Sequence, residues 1–290
     1  MNTPFKSLIA IKDVEPLLDD NNKLVYPLCD RTLFVISKCI DLDPENYAVF
    51  DNNQATIAGL FIKQVKLFEE LYEAYKEGKM YLCVILQRII YEAFIKMEYL
   101  IKYGDEAQET YRSYSYKDRN KFYEEYKTSK EGYLKVRNKK YLYDLEDDGF
   151  TIDDIKNSKK SFSGKNFSQL MEEFEDRALY TSLYGMASDP IHSDWGEIRQ
   201  LYLIRISEPN SYVIPEDFTI KIHFRYLLPM LDIINDSAFK YIDWLLSLST
   251  SYKQLIAYKN MLAEFRRVGT LIMEFVYKEY SKDDSKYMYE

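Results

Sequence analysis

The sequence predicts an all-α fold, a multi-helix bundle around a central buried helix, on three observations. Glycine and proline are scarce, nine and eight in 290 residues, too few turn formers for a sandwich or a barrel. Apolar residues recur at i, i+3, i+4 and i+7 over long runs. One stretch, Lys79 to Tyr103, has neither Gly nor Pro and is apolar around most of a helical wheel, which predicts a central position rather than a surface one. Arg88, Glu92 and Lys96 stand four residues apart within it, so a cation, an anion and a cation stack along one side.

Residues 1–44 read as a lead-in punctuated by Pro16, Pro27 and Pro44, with one short helix between Leu28 and Leu42. Residues 45–290 read as a single all-α domain. Its first helix carries the stripe Ile57, Leu60, Phe61, Phe68, Leu71, Tyr72 and Tyr75, and ends at Gly78, a residue suited to a C-terminal cap. The central helix follows at once, so the two are expected to be antiparallel neighbours. After Gly104 the character changes to a basic, tyrosine-rich arm over 111–140, an acidic stretch from Asp144 to Asp154, and a mobile loop over 156–166. Asn166 and Gln169 form a capping-box pattern for a helix with Phe167, Leu170, Met171, Phe174, Ala178 and Thr181 on one face, ending near Ser188. Asp189 as N-cap and Pro190 as first residue open another helix towards Ile206. A loop over 207–215 precedes a C-terminal pair, a helix over 216–247 kinked at Pro229 and one over 251–280, and the last ten residues are expected to fray.

The apolar share of 47% suffices for a large core, and a net charge of −8 argues against nucleic-acid binding as a default. Cys29, Cys39 and Cys83 share no short spacing and lie in apolar contexts, which reads as buried thiols in a reducing compartment rather than a disulfide frame or zinc site. No basic leader, no membrane-length apolar run, no phosphate-binding Gly loop, no HExxH and no GxSxG elbow is present in the sequence. A cytoplasmic protein with no metal, no cofactor and no membrane contact is the expectation. The 28 tyrosines fit an AT-rich coding sequence.

Two sets of residues could carry function. The arm over 111–140 holds ten Lys or Arg against four Asp or Glu, interleaved with aromatic rings, a pattern that suits a single-stranded nucleic acid. Arg112, Lys117, Arg119 and Lys121 are its candidate RNA contacts. The competing reading is a solvated arm whose tyrosines pack on the core and whose cations meet the acids of 144–154. The second set is His192, in the first turn of the predicted helix after Asp189, and nearby Asp194, with Arg88 and Glu92. A helix N-terminus favours neutral imidazole, while the nearby Asp194 carboxylate favours imidazolium. Arg88 beside His192 would make a phosphate clamp with a general base. Alternatively Arg88 and Glu92 only satisfy one another, in which case Arg88→Ala would cost several kcal/mol by stranding a buried Glu92. His223, the other histidine, lies in an apolar helical run and reads as structural.

The run from Ile57 to Tyr111, with Arg88 and Glu92 as R-x-x-x-E, and the later Tyr184, Ser188, His192, Ser193 and Trp195 resemble the two signatures of a bacterial helical family, domain of unknown function 5677, over about 50–205. The resemblance implies kinship to HEPN-type helical proteins, many of them metal-independent ribonucleases or inactive partners in toxin and anti-phage systems, and with it a homo-oligomer. This chain departs from the HEPN pattern Arg-x4–6-His: no Arg lies within six residues before His192, Arg177 is too far back, and Arg199 follows it. Two functions therefore stand: a metal-independent endoribonuclease effector, or a non-catalytic helical module that binds a protein partner or senses an invader.

Overall fold

The long periodic runs fold as helices. The computed structural model describes residues 5–18, 23–40, 50–159, 161–174, 198, 203–205, 213–215, 222, 224–248 and 253–280. In chain order these give α1 (Ile11–Val14) with a 3-10 turn, Glu15–Leu17, and then α2 (Val25–Ile40), α3 (Gln54–Lys76), α4 (Met80–Ser115), α5 (Lys117–Tyr126), α6 (Gly132–Asp147), α7 (Ile152–Asn157) and α8 (Phe167–Phe174). A two-stranded antiparallel ladder of β1 (Leu203–Arg205) and β2 (Val213–Pro215) follows, and then a 3-10 turn, Phe224–Tyr226, α9 (Leu228–Leu248) and α10 (Lys253–Tyr280). The fold is an all-α multi-helix bundle with that one short ladder among the described residues. No helix of the described residues is long and apolar enough to cross a membrane.

Two compact units divide the chain: Met1–Tyr47, Phe61–Phe94 and Thr181–Glu290 form the first, Ala48–Leu60 and Ile95–Tyr180 the second. In the first, α3 ends in a Schellman turn at Gly78 (φ 71°), where Gly78 N–H donates to Tyr75 O and Lys79 N–H to Ala74 O. The chain reverses there, and Cys83 Sγ reaches Leu71 O at 3.8 Å. The predicted stripe of α3 is buried throughout, and no residue from 82 to 100 of α4 is exposed. Phe61 stacks on Tyr241 of α9 with centroids 4.1 Å apart, and buried Gln64 accepts from Ser237 at 2.7 Å. Farther along, α10 packs on α9, α2 and α1, with Arg266 bonding both Asp232 and Asp236 of α9. Cys29, Cys39 and Cys83 are buried and free in this unit; burial pushes the Cys39 and Cys83 thiols up to about 12, and raises that of Cys29 as well.

The second unit turns on two glycines. Gly104 breaks α4 with φ 65° and ψ −153°, a conformation that a side chain disfavours on backbone grounds alone, since an added Cβ would meet no atom within 4 Å. Across this break Gln108 donates to the Leu100 carbonyl at 3.1 Å. Gly149 (φ 79°) closes α6 in a second Schellman turn, and Phe150 beyond it packs with Ile152 and Tyr123 on the core of Tyr116, Tyr141, Leu145 and Ile155. Thr151 and Asp154 then cap α7 reciprocally.

Several sequence expectations need correction. Leu203–Arg205 is extended rather than part of a helix running to Ile206, and Val213–Pro215 is strand rather than loop, as β-branched Ile204, Val213 and Ile214 favour. Pro229 does not kink a helix: it occupies the first turn of α9, where a missing N–H costs nothing. The first part of the 156–166 loop is the end of α7, and Phe162 is held between Tyr99, Tyr111 and Tyr114, at centroid distances of 5.5, 5.5 and 6.1 Å. The expected capping box is present, Gln169 N–H donating to Asn166 Oδ1 at 2.9 Å and Asn166 N–H to Gln169 Oε1 at 3.1 Å. The helix end near Ser188 and the fraying tail lie outside the described residues.

Candidate functional site

On α4, Arg88 Nε lies 3.5 Å from Glu92 Oε1, with side chains 15% and 29% exposed. The four-residue spacing produces the meeting, but the contact is long and the carboxylate keeps some solvent. Glu92 is thus not a fully buried charge, and Arg88→Ala is expected to cost less than the several kcal/mol that stranding a buried carboxylate would. His192 and Asp194 lie outside the described residues, as do Arg177, Arg199 and His223.

The cations proposed for RNA divide differently. Arg112, 13% exposed, donates to Asn53 Oδ1 at 2.9 Å and to Asp148 through both its carbonyl (2.6 Å) and its carboxylate (3.2 Å), with its guanidinium 5.0 Å from the Phe150 ring. Arg119 donates to Asp144 at 2.6 Å and lies over Tyr116 and Tyr141. Lys117 donates to the carbonyls of Ser158 and Lys159. Lys121 alone of the four stands well out in solvent, 78% exposed, with Asp118 at 2.8 Å. Acids from the 144–154 stretch therefore take up two of the arginines. Hydrogen bonds from Lys140 and then Arg119 hold the Asp144 carboxyl below its usual range. Tyr116 OH donates to Asp148 as well, and burial raises its phenol.

Two clusters were not anticipated. Glu173 of α8 accepts from Lys102 at 2.7 Å, from Lys165 at 2.5 Å and from Tyr103. Those donors, Lys102 first, pull its carboxyl down to about 2. No local spacing signals this, because Lys102 and Glu173 are 71 residues apart. On α9, Lys240 sits 2.9 Å from Asp236 and 4.7 Å from the Phe94 ring centroid, and burial, aided by Arg266, lowers its amine to about 8. The spacing Asp232, Asp236, Lys240 was a usable signal for this one. Among the described residues no group of three or more His, Cys, Asp or Glu could hold a metal ion.

Glu173 gives a pH prediction. Its folded pKa lies below the unfolded value, so its contribution is present above about pH 4.5 and is lost as pH falls towards 2. Glu173→Gln is expected to cost about 1 kcal/mol at pH 7, allowing for solvent screening, and progressively less below pH 4.5. Urea unfolding of both proteins between pH 7 and 2.5 measures this; a pH-independent difference would refute it.

Fold and site together define a helical-bundle protein whose basic arm is braced by its own acids. More particularly, the chain belongs to a family of unknown function, DUF5677, whose sequence model matches residues 54–210, beginning at the first residue of α3. No curated protein and no solved structure matches the chain.

Proposed function

We propose that this protein is a HEPN-like helical component of a bacterial toxin or anti-phage system, acting as a non-catalytic interaction or sensor module. The non-catalytic part is supported by the lack of any Arg within six residues before His192, and three of the four candidate RNA contacts, Arg112, Lys117 and Arg119, hold carbonyls and carboxylates of the chain itself. Support for the defence setting is the kinship to HEPN-type proteins implied by the family whose signatures the Arg88–Glu92 and Tyr184–Trp195 residues resemble. A cytoplasmic homo-oligomer belongs to the same proposal, and light scattering giving a single 34.6 kDa chain would count against it.

A second reading, a metal-independent endoribonuclease with His192 as general acid or base, Asp194 beside it and Arg88 on the scissile phosphate, keeps one point in its favour: the same implied kinship, since many HEPN-type proteins are metal-independent ribonucleases. The full-length protein with total RNA and EDTA separates the two. No cleavage, by the native chain or by His192→Ala and Arg88→Ala variants, is the expected result. Cleavage that resists EDTA and disappears in both folded variants would overturn the non-catalytic reading.

A further inference from the structure

The buried face of α6 consists of Leu134, Asn138, Tyr141 and Leu145, at helical spacing. Its opposite face carries residues that a merely solvated helix would not need. Val136 and Tyr143, seven residues apart, are 69% and 63% exposed, and Tyr133 near the helix start is 69% exposed. Single exposed apolar residues are ordinary, but three along one helix flank form a patch. Between Gly132 and Tyr143 every charged residue is a cation: Lys135, Arg137, Lys139 and Lys140. All four are exposed, and neither Lys135 nor Lys139 has an ion-pair partner among the described residues. Lys140 Nζ lies 5.7 Å from the Tyr143 ring centroid, and the Arg137 guanidinium stacks 3.7 Å over Phe122.

We propose that this outer face of α6 is a docking surface for single-stranded RNA, on which bases stack against Tyr133 and Tyr143 while Lys135 and Lys139 meet the phosphates. Charge complementarity selects a polyanion, and open ring faces select unpaired bases over an acidic polypeptide or a duplex. The Glu131 carboxylate, near enough for its charge to raise the Tyr133 phenol, is an acceptor beside a stacking ring, and a ribose 2′-hydroxyl can donate to it where deoxyribose cannot. Tyr133 and Tyr143 are separated by roughly 15 Å along the helix, which leaves each ring room for its own base. The arginines of α4 and α5, Arg112 and Arg119, play no part, being held within the unit.

This deepens the sensor reading by naming what is sensed, and it is tested by binding, not cleavage, so its failure is distinct from the appearance of ribonuclease activity. Fluorescence anisotropy with a labelled uridine 12-mer is expected to show binding by the full chain that weakens as salt is raised. Lys135→Glu with Lys139→Glu, and separately Tyr133→Ala with Tyr143→Ala, should each lower affinity at least about tenfold with circular dichroism unchanged. Equal affinity for a deoxythymidine 12-mer would overturn the assignment to RNA. No binding at low salt, retention of full affinity by either double variant, or equally tight binding of polyglutamate would overturn the docking surface itself.

Discussion

Replacing Arg112 by Ala is expected to destabilise the protein by about 3 kcal/mol, far more than the loss of an exposed RNA-contacting arginine would. Its guanidinium ties Asn53, before α3, to the Asp148 carbonyl and carboxylate at the end of α6. Removing it takes the donor from three acceptors, one of them a carboxylate left with the Tyr116 hydroxyl, and uncovers Phe150. Arg112→Lys should recover only part of the loss, because a single ammonium cannot span Asn53 and Asp148 with the geometry of a planar fork. Urea unfolding followed by circular dichroism reads both variants. A cost below 1 kcal/mol for Arg112→Ala would show that the arm is not braced as described.

A cost of about 4 kcal/mol is expected for Phe61→Ala. Phe61 is fully buried, and its ring stacks on Tyr241 with an interplanar angle of 16°. The loss combines transfer of the ring, the cavity left behind and the stacking term. Tyr241 also meets Trp244 at 5.6 Å, so relaxation into the cavity would disturb a second contact. Phe61→Leu should cost less than half as much, since it keeps most of the buried apolar volume. Thermal unfolding distinguishes the two, and equal costs for Ala and Leu would contradict tight stacking at this site.

What the sequence made legible was local. The Gly78 turn, the Asn166–Gln169 box, the stripe of α3 and the buried run of α4 are each written in spacings of a few residues, and each appears in the structure. Pro229 was misread because one residue supports two physical outcomes, a kink within a helix or a helix start, and only the preceding 3-10 turn decides between them. The pairing of Arg112 and Arg119 with Asp148 and Asp144 was foreseen as a charge balance, but not residue by residue. Phe162 and Glu173 were missed altogether, because their partners on α4 are brought to them by folding rather than by sequence proximity. The Arg88–Glu92 contact followed from its spacing, whereas its solvent access did not.

The placement of the three cysteines makes the thiols a built-in clock for one half of the molecule. Cys29, Cys39 and Cys83 all belong to the first unit, and the second has none. Burial keeps each protonated and hidden from reagents, so the folded chain should resist alkylation at neutral pH. Any labelling then counts opening events of the first unit only. Mass-resolved pulse alkylation at rising urea concentration would be compared with tyrosine signals from the second unit's core. Coincident curves would mean that the two units melt as one cooperative body; an early tyrosine transition with silent thiols would mean that the second unit opens by itself.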